Sequence, residues 1–180
     1  MTQHGITTTT YQRILMGPGK VYIGTSLGQV LGATKGGNVM EINRTFRDIR
    51  PDGAKGKVKN FRYLENVEAM LTVRLMEVTE QNIVYALAGS SLLTHVITGG
   101  EVAAATYINE IAIVAEIKGI TATTESTAVT IVMTNCLVEG PLTMNLPESG
   151  DVEIELKFHA HFDPAALTTE PWNITFTPAS

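Results

Sequence analysis

The sequence predicts a mainly β domain, an antiparallel sandwich or barrel with one flanking α-helix at about residues 79–89. Three observations predict it. Long stretches alternate apolar and polar residues with period two, glycine and proline turn signals fall between them, and one short run shows helical spacing.

The alternation is clearest in two places. Val67, Ala69, Leu71, Val73 and Leu75 share one face, with Glu68, Thr72 and Arg74 on the other. Over residues 151–163, Val152, Ile154, Leu156, Phe158, Ala160 and Phe162 oppose Asp151, Glu153, Glu155, Lys157, His159, His161 and Asp163. Successive strand side chains point to opposite faces, so each stretch has one buried and one polar surface. Further strands are expected at residues 20–24, 38–43, 57–64, 106–116, 127–138 and 142–146, and at Trp172, Ile174 and Phe176. Gly17-Pro18-Gly19, Gly36-Gly37, Pro51-Asp52-Gly53, Gly99-Gly100, Gly140-Pro141 and Ser149-Gly150 mark the turns. Thr79 is placed to cap the helix, Glu80 puts an anion in its first turn, and Gly89 suits a left-handed position after its end. Ile83, Val84 and Leu87 would form its apolar stripe. About ten residues do not hold a helix alone, so it must pack on the strands.

Length and composition point to a single domain spanning residues 1–180, with residues 1–12 as a polar N-terminal arm. A hydrophobic content of 44% argues against disorder, and the mild net charge of −5 argues against general nucleic-acid affinity. Cys136 is the only cysteine, which excludes an internal disulfide framework and a cysteine-rich zinc site. The Thr-rich start lacks the pattern of a secretory signal, and no stretch approaches the ~20 apolar residues that span a bilayer. A soluble chain made in the cytoplasm is expected.

Charge is unevenly distributed. Arg44, Arg47, Arg50, Lys55, Lys57, Lys59 and Arg62 face only Asp48 and Asp52 within residues 44–62, around the Pro51-Asp52-Gly53 turn. After Leu75 the only basic residues are Lys118 and Lys157, against thirteen acids. The basic stretch reads as a long hairpin or extended loop. It is either a solvated, charge-protected surface or an arm that docks on an acidic neighbour, where complementary potentials fix register.

No catalytic constellation emerges. His159, His161 and Asp163 could share a metal from one strand face, but they equally continue a polar face, and no metal or cofactor is expected. Ser90-Ser91 is not set in a nucleophile elbow, and Gly17-Pro18-Gly19-Lys20 lacks the spacing of a phosphate loop. Cys136 lies among Val132, Thr134 and Val138, as a buried small hydrophobe would.

The run Ile14-Leu15-Met16-Gly17-Pro18-Gly19-Lys20-Val21-Tyr22-Ile23-Gly24 resembles the opening strand of bacteriophage major tail tube proteins. Leu31-Gly32-Ala33-Thr34-Lys35-Gly36-Gly37-Asn38-Val39 follows, then Arg50-Pro51-Asp52-Gly53 with Gly56-Lys57-Val58-Lys59, then a strand-to-helix run over residues 71–87. Their order over residues 14–89 is similar to that family's N-terminal half, while residues 90–180 match less recognisably. The resemblance implies a non-enzymatic virion protein related to contractile-tail and type VI secretion tubes. Its rings, hexameric or hexamer-like, would stack into the conduit for DNA ejection. Implied partners are further copies of itself, a tape measure protein, a tail terminator and baseplate or tail-tip proteins. DNA would pass without specific binding, and assembly would occur in the host cytoplasm. Ring contacts are expected from Arg44, Arg47, Arg50, Lys55, Lys57 and Lys59, and an acidic lumen wall from Asp151, Glu153 and Glu155. The alternatives are a tail terminator or secreted tube protein, a carbohydrate-binding β-sandwich, and a metal-dependent enzyme using His159 and His161. Exposed aromatics would mark the second and bound metal the third.

Overall fold

The computed structural model describes residues 17, 19–116, 126–146, 148–149 and 151–178. The expected N-terminal arm, residues 1–12, lies outside the described residues. In chain order the elements are β1 (Lys20–Ile23), β2 (Gln29–Val30), β3 (Val39–Asp48), β4 (Arg62–Leu75), α1 (Glu80–Ala86), β5 (Ser91–Leu93) and β6 (Val96–Thr98). A 3₁₀ turn (Ala104–Thr106) precedes β7 (Ile108–Glu116), β8 (Ser126–Val138), β9 (Met144–Asn145), β10 (Glu153–Ala160) and β11 (Trp172–Pro178). The mainly β architecture with one helix is as the alternation predicted.

The main sheet runs β2-β1-β7-β8-β10-β4-β3, antiparallel throughout, with β9 on β10 and β11 on β8. It closes on itself through one segment. Leu31 donates its N–H to Val21 O on β1 (2.9 Å), whereas Ala33 O accepts from Met76 N–H (2.9 Å) and Lys35 N–H donates to Arg74 O (3.0 Å) beside β4. Residues 29–35 therefore bond β1 on one side of the gap and β4 on the other, which removes two open edges. Gly32 makes the change of edge at φ +135°, where a Cβ would lie 2.9 Å from the Glu77 carboxylate. The enclosed core gathers Val21, Leu71, Val73, Leu75, Ile111, Met133, Ile154, Leu156 and Phe158, the apolar halves of the alternating strands.

Asn135 breaks the alternation of β8. Its φ of +51° is left-handed, a region asparagine tolerates, and Met133 and Cys136 both reach the core across it. Ile108 and Ile111 on β7 step inward with the same spacing. Beyond this point the partner of β8 changes, from β10 at Cys136–Val138 to β11 at Met133 and before.

Several expected boundaries move. The strands placed at residues 57–64 and 67–76 are one, beginning at Arg62, and β3 runs on to Asp48. Residues 49–61 are the connecting loop of a single β3–β4 hairpin, so alternation within 57–61 reflected loop composition. The strand at 151–163 stops at Ala160. Asp163 Oδ1 there accepts from Ala165 N–H (2.8 Å), a side-chain turn that Pro164 reinforces. The strand at 142–146 shrinks to two residues. The β5–β6 hairpin carried no expectation, because three-residue strands are too short to show a period.

The helix is capped as expected: Thr79 Oγ1 accepts from Asn82 N–H (3.2 Å). Its buried face is different. Asn82 and Ala86, one turn apart, point inward; Ile83 packs at the core's margin and Leu87 is 38% exposed. Asn82 Nδ2 donates to Leu31 O (3.3 Å) and Glu77 O (3.0 Å), so the buried amide ties the helix to the segment that closes the sheet. Asn82→Ala strands both carbonyls, and urea unfolding should show a loss of about 1–3 kcal/mol. Leu87→Ala should cost well under the ~2–5 kcal/mol of a buried leucine. Gly89 has φ +82°, and a Cβ on it would meet Gly100 O at 2.8 Å, since the base of the β5–β6 hairpin crosses there. Gly89→Ala should therefore lower stability by about 1–3 kcal/mol in the same assay.

Candidate functional site

Half of β4 lies in the closed sheet. The other half, with its partner β3, leaves it as a two-stranded ribbon. β10 pairs with β4 only from Met70 to Leu75, whereas β3 follows β4 down to Arg62. Along the ribbon and its loop, Phe46, Ile49, Val58, Phe61 and Tyr63 are all exposed. Isolated two-stranded hairpins are marginal in water, and exposed apolar side chains of this density mark contact surfaces.

The basic residues expected at an inter-subunit contact all sit on this hairpin. Arg44 and Arg47 lie on β3, and Arg50, Lys55, Lys57 and Lys59 in the loop. Two of them are engaged within the chain: Arg44 Nη2 lies 2.7 Å from Glu170 Oε1, and Lys57 Nζ lies 3.3 Å from Asp48 Oδ2. Arg62, on β4, also pairs with Asp48 (3.2 Å), and its guanidinium stacks 4.4 Å from the Phe46 ring centroid. Arg47, Arg50, Lys55 and Lys59 are exposed and make no ion pair among the described residues.

The acidic face of β10 is differently composed. Lys35 Nζ reaches Asp151 Oδ2 (3.1 Å) and Glu153 Oε1 (3.0 Å); Glu155 holds Arg74 Nε (3.2 Å) and Lys157 Nζ (3.3 Å). Three carboxylates thus meet three cations. The sequence placed Asp151, Glu153 and Glu155 on one face correctly. It gave no view of Lys35 and Arg74, which arrive from other segments. Hydrogen bonds from Arg74 and then Lys157 lower the Glu155 carboxyl below its ordinary value, and bonds to Glu153 and Asp151 raise the Lys35 ammonium. A lowered carboxyl contributes stability above its unfolded pKa and loses it as pH falls through the folded value. Arg74→Gln should let the Glu155 pKa rise in a carboxyl NMR titration, with little change in melting temperature because the pair is exposed.

A cleft of about 460 Å³ borders this face, with Arg74, Glu153, Glu155 and Lys157 on one wall and residues 139–143 on the other. Of the two imidazoles considered as metal ligands, His161 is engaged elsewhere. His161 packs edge-on against Tyr107 (centroids 5.1 Å), and its Nδ1 lies 3.2 Å from Asn135 O, while His159 is half-buried within β10. Among the described residues no group of three His, Cys, Asp or Glu side chains could hold a metal. Cys136 is fully buried, and burial pushes its thiol up to about 12, as expected of a packing residue.

At the opposite end of β4 from the ribbon, α1 and the β5–β6 hairpin form a second projecting surface. The hairpin's base meets Gly89 after the helix, and its tip returns to the helix start, where His95 Nδ1 lies 2.6 Å from Glu80 Oε1. Thr94 and His95 take left-handed φ values of +48° and +64°, the geometry of a tight two-residue turn. Leu93 (77% exposed) and Val96 (59%) lie opposite each other on it. Sequence reading missed this surface; its one available signal was the apolar pair flanking Thr94-His95.

No protein-family model matches the chain, and no curated protein matches it. Solved structures do. One is a chain of the sheath–tube complex of an extracellular contractile injection system (PVC) in its extended state, with TM-score 0.54 and 11% identity over 96% of this chain and 99% of that one. Another is the tube-terminating cap of the anti-feeding prophage, with TM-score 0.51 and 12% identity over 95% and 100%. At these identities it is the fold that is shared, over nearly the whole of each chain: the β architecture is that of a chain of a sheath–tube complex and of a tube cap.

Proposed function

We propose that this chain is a structural tail-tube protein that polymerises as stacked rings, with six-fold symmetry as in the family it resembles, into a phage tail conduit for DNA. The observation that carries this reading is the end-to-end fold match to a chain of a sheath–tube complex and to a tube cap. Exposed edges support it. β3 bonds only β4 along ten residues, and β11 bonds only β8 along seven while exposing Ile174 and Phe176. Such edges pair promiscuously unless a neighbour closes them, and identical neighbours arranged in a ring do so. In this reading the basic hairpin supplies contacts between copies. The polar outward face of β10, carrying Asp151, Glu153 and Glu155, lines the channel. Tape measure, terminator and baseplate or tail-tip proteins complete the tail inside a virion.

The match to a terminating cap supports a second reading, a component that closes a tube rather than builds one. Electron microscopy of the concentrated, purified protein separates them. Hollow tubes of uniform diameter are expected. Single rings that never elongate would favour the cap, and a species that stays monomeric at high concentration would remove both.

A further inference from the structure

β3 passes from the closed sheet into the ribbon at Arg44. Cross-strand partners share a face, and Met40, Ile42 and Arg44 stand opposite Leu71, Ala69 and Val67 of β4, all three buried. Arg44 thus occupies the position where the inward apolar row of β3 would continue. It reaches Glu170 instead, with Nη2 2.7 Å from Oε1. Glu170 belongs to the body of the chain: Pro171 O accepts from Thr134 N–H (3.0 Å), and Trp172 opens β11 on β8. Just beyond Arg44 the ladder slips. Thr45 faces Asn66 but Phe46 faces Leu64, which leaves Glu65 as the extra residue of a β-bulge on β4. Past the bulge the side-chain pairs are internal to the ribbon: Asp48 holds Lys57 and Arg62, and Arg62 stacks on Phe46. Among the described residues no ion pair besides Arg44–Glu170 ties residues 44–65 to the body. That pair is incompletely satisfied, because Glu170 Oε2 is sealed from solvent without a hydrogen-bond partner among the described residues.

We infer that the ribbon is a hinged arm with two orientations, turning at the Glu65 bulge, and that Arg44–Glu170 is the latch that selects one of them. Three features suit a latch better than a fixed joint. An aliphatic side chain at position 44 would extend the inward row of Met40 and Ile42 and weld the ribbon to the body, whereas a guanidinium is readily rehydrated. The Arg44 and Glu170 side chains are 44% and 24% exposed, so water reaches the pair and competes for it. The bulge breaks the ladder beside the pair, and its extra residue is already unpaired, so a bend there sacrifices no hydrogen bond. Opening the latch lets water reach Glu170 Oε2, which offsets part of the lost ion pair. The closed latch fixes the direction in which Phe46, Phe61 and Tyr63 are presented. Its opening turns that apolar set as one body, because Arg62, Asp48 and Phe46 hold the ribbon together. The inference concerns the single chain and does not rest on the tube reading.

The test is a distance measurement on the full chain, dilute enough to stay unassembled. Spin labels at Arg47→Cys on the ribbon and Leu167→Cys on the body occupy exposed positions, and the buried Cys136 stays unmodified. Pulsed electron paramagnetic resonance should resolve two distance populations. Glu170→Gln and Arg44→Gln should each lower the latched-to-open ratio roughly 3- to 5-fold, the effect of losing a partly exposed ion pair. Arg44→Glu with Glu170→Arg should restore it. Arg44→Leu with Glu170→Leu continues the apolar row across the joint and should leave the latched population alone. Raising salt from about 0.1 to about 1 M shortens the screening length from about 10 to about 3 Å. It should shift the labelled parent towards the open form and leave the Glu170→Gln chain unmoved. The Ile49 amide, bonded to Phe61 O (2.7 Å) towards the far end of the ribbon, should exchange equally slowly in every variant, since the arm turns without melting. One distance shared by the parent and all variants overturns the inference. So does loss of Ile49 protection in step with the open population, which would mean melting. The salt titration needs no substitution at the latch, so it decides the question should a variant fail to fold. Each of these failures leaves the tube reading intact.

Discussion

Phe158→Ala should lower unfolding stability by about 3–5 kcal/mol, the largest single-residue effect expected in this chain. Phe158 is fully buried at the centre of β10, paired with Leu71 of β4 on one side and Val138 of β8 on the other. A barrel interior has no open side into which neighbours can collapse, so removing the ring leaves most of its volume as a cavity. Domains of this size have about 5–15 kcal/mol in total, so the loss consumes a large fraction of it. Urea denaturation monitored at Trp172 measures it. A loss below about 1 kcal/mol would mean that β10 is not a central strand, and the closure of the sheet would fall with it. Phe46→Ala is the control: the side chain is 41% exposed on the hairpin, and monomer stability should barely change.

That contrast shows what the sequence could and could not reveal. Period-two alternation located β4 and β10 because one face of each is buried along its length, and burial is what alternation records. It failed where both faces are exposed. From Arg44 to Asp48 on β3, Phe46 alternates with charged and polar neighbours on a ribbon without a core, and the strand's true end was invisible. It failed also where the pattern is broken for a structural reason. Asn135 shifts the inward face of β8 by one residue, and an asparagine within an apolar run was the only trace of that shift. The helix was found through Thr79 and Gly89, yet its buried face was misassigned. Asn82 faces inward to satisfy two backbone carbonyls, a reason that hydrophobic spacing does not encode. The basic hairpin was legible as composition. The β5–β6 hairpin was not, because strands of three residues are too short to carry a period.

Neutralising the β10 face should change what an assembled tube does more than whether it assembles. Asp151→Asn, Glu153→Gln and Glu155→Gln remove three negative charges and leave Lys35, Arg74 and Lys157 unanswered, so a balanced mosaic becomes +3 per subunit. The pairs broken are exposed and screened by water, so the monomer should stay folded. If this face lines the channel, every ring of the variant presents a concentrated positive wall to a polyanion with about one charge per 1.7 Å. Purified variant tubes should then retain a short fluorescent DNA strand that wild-type tubes release, and retention should fall steeply with salt as counterion release requires. The same reasoning explains why balance suits a conduit. Uncompensated cations would hold phosphates in place, whereas paired ones keep the wall hydrated and weakly interacting. Two outcomes would move the face elsewhere. DNA decorating the outside of variant tubes in micrographs would place β10 on the outer wall, and folded variant protein that forms no tubes would place it in a contact between subunits.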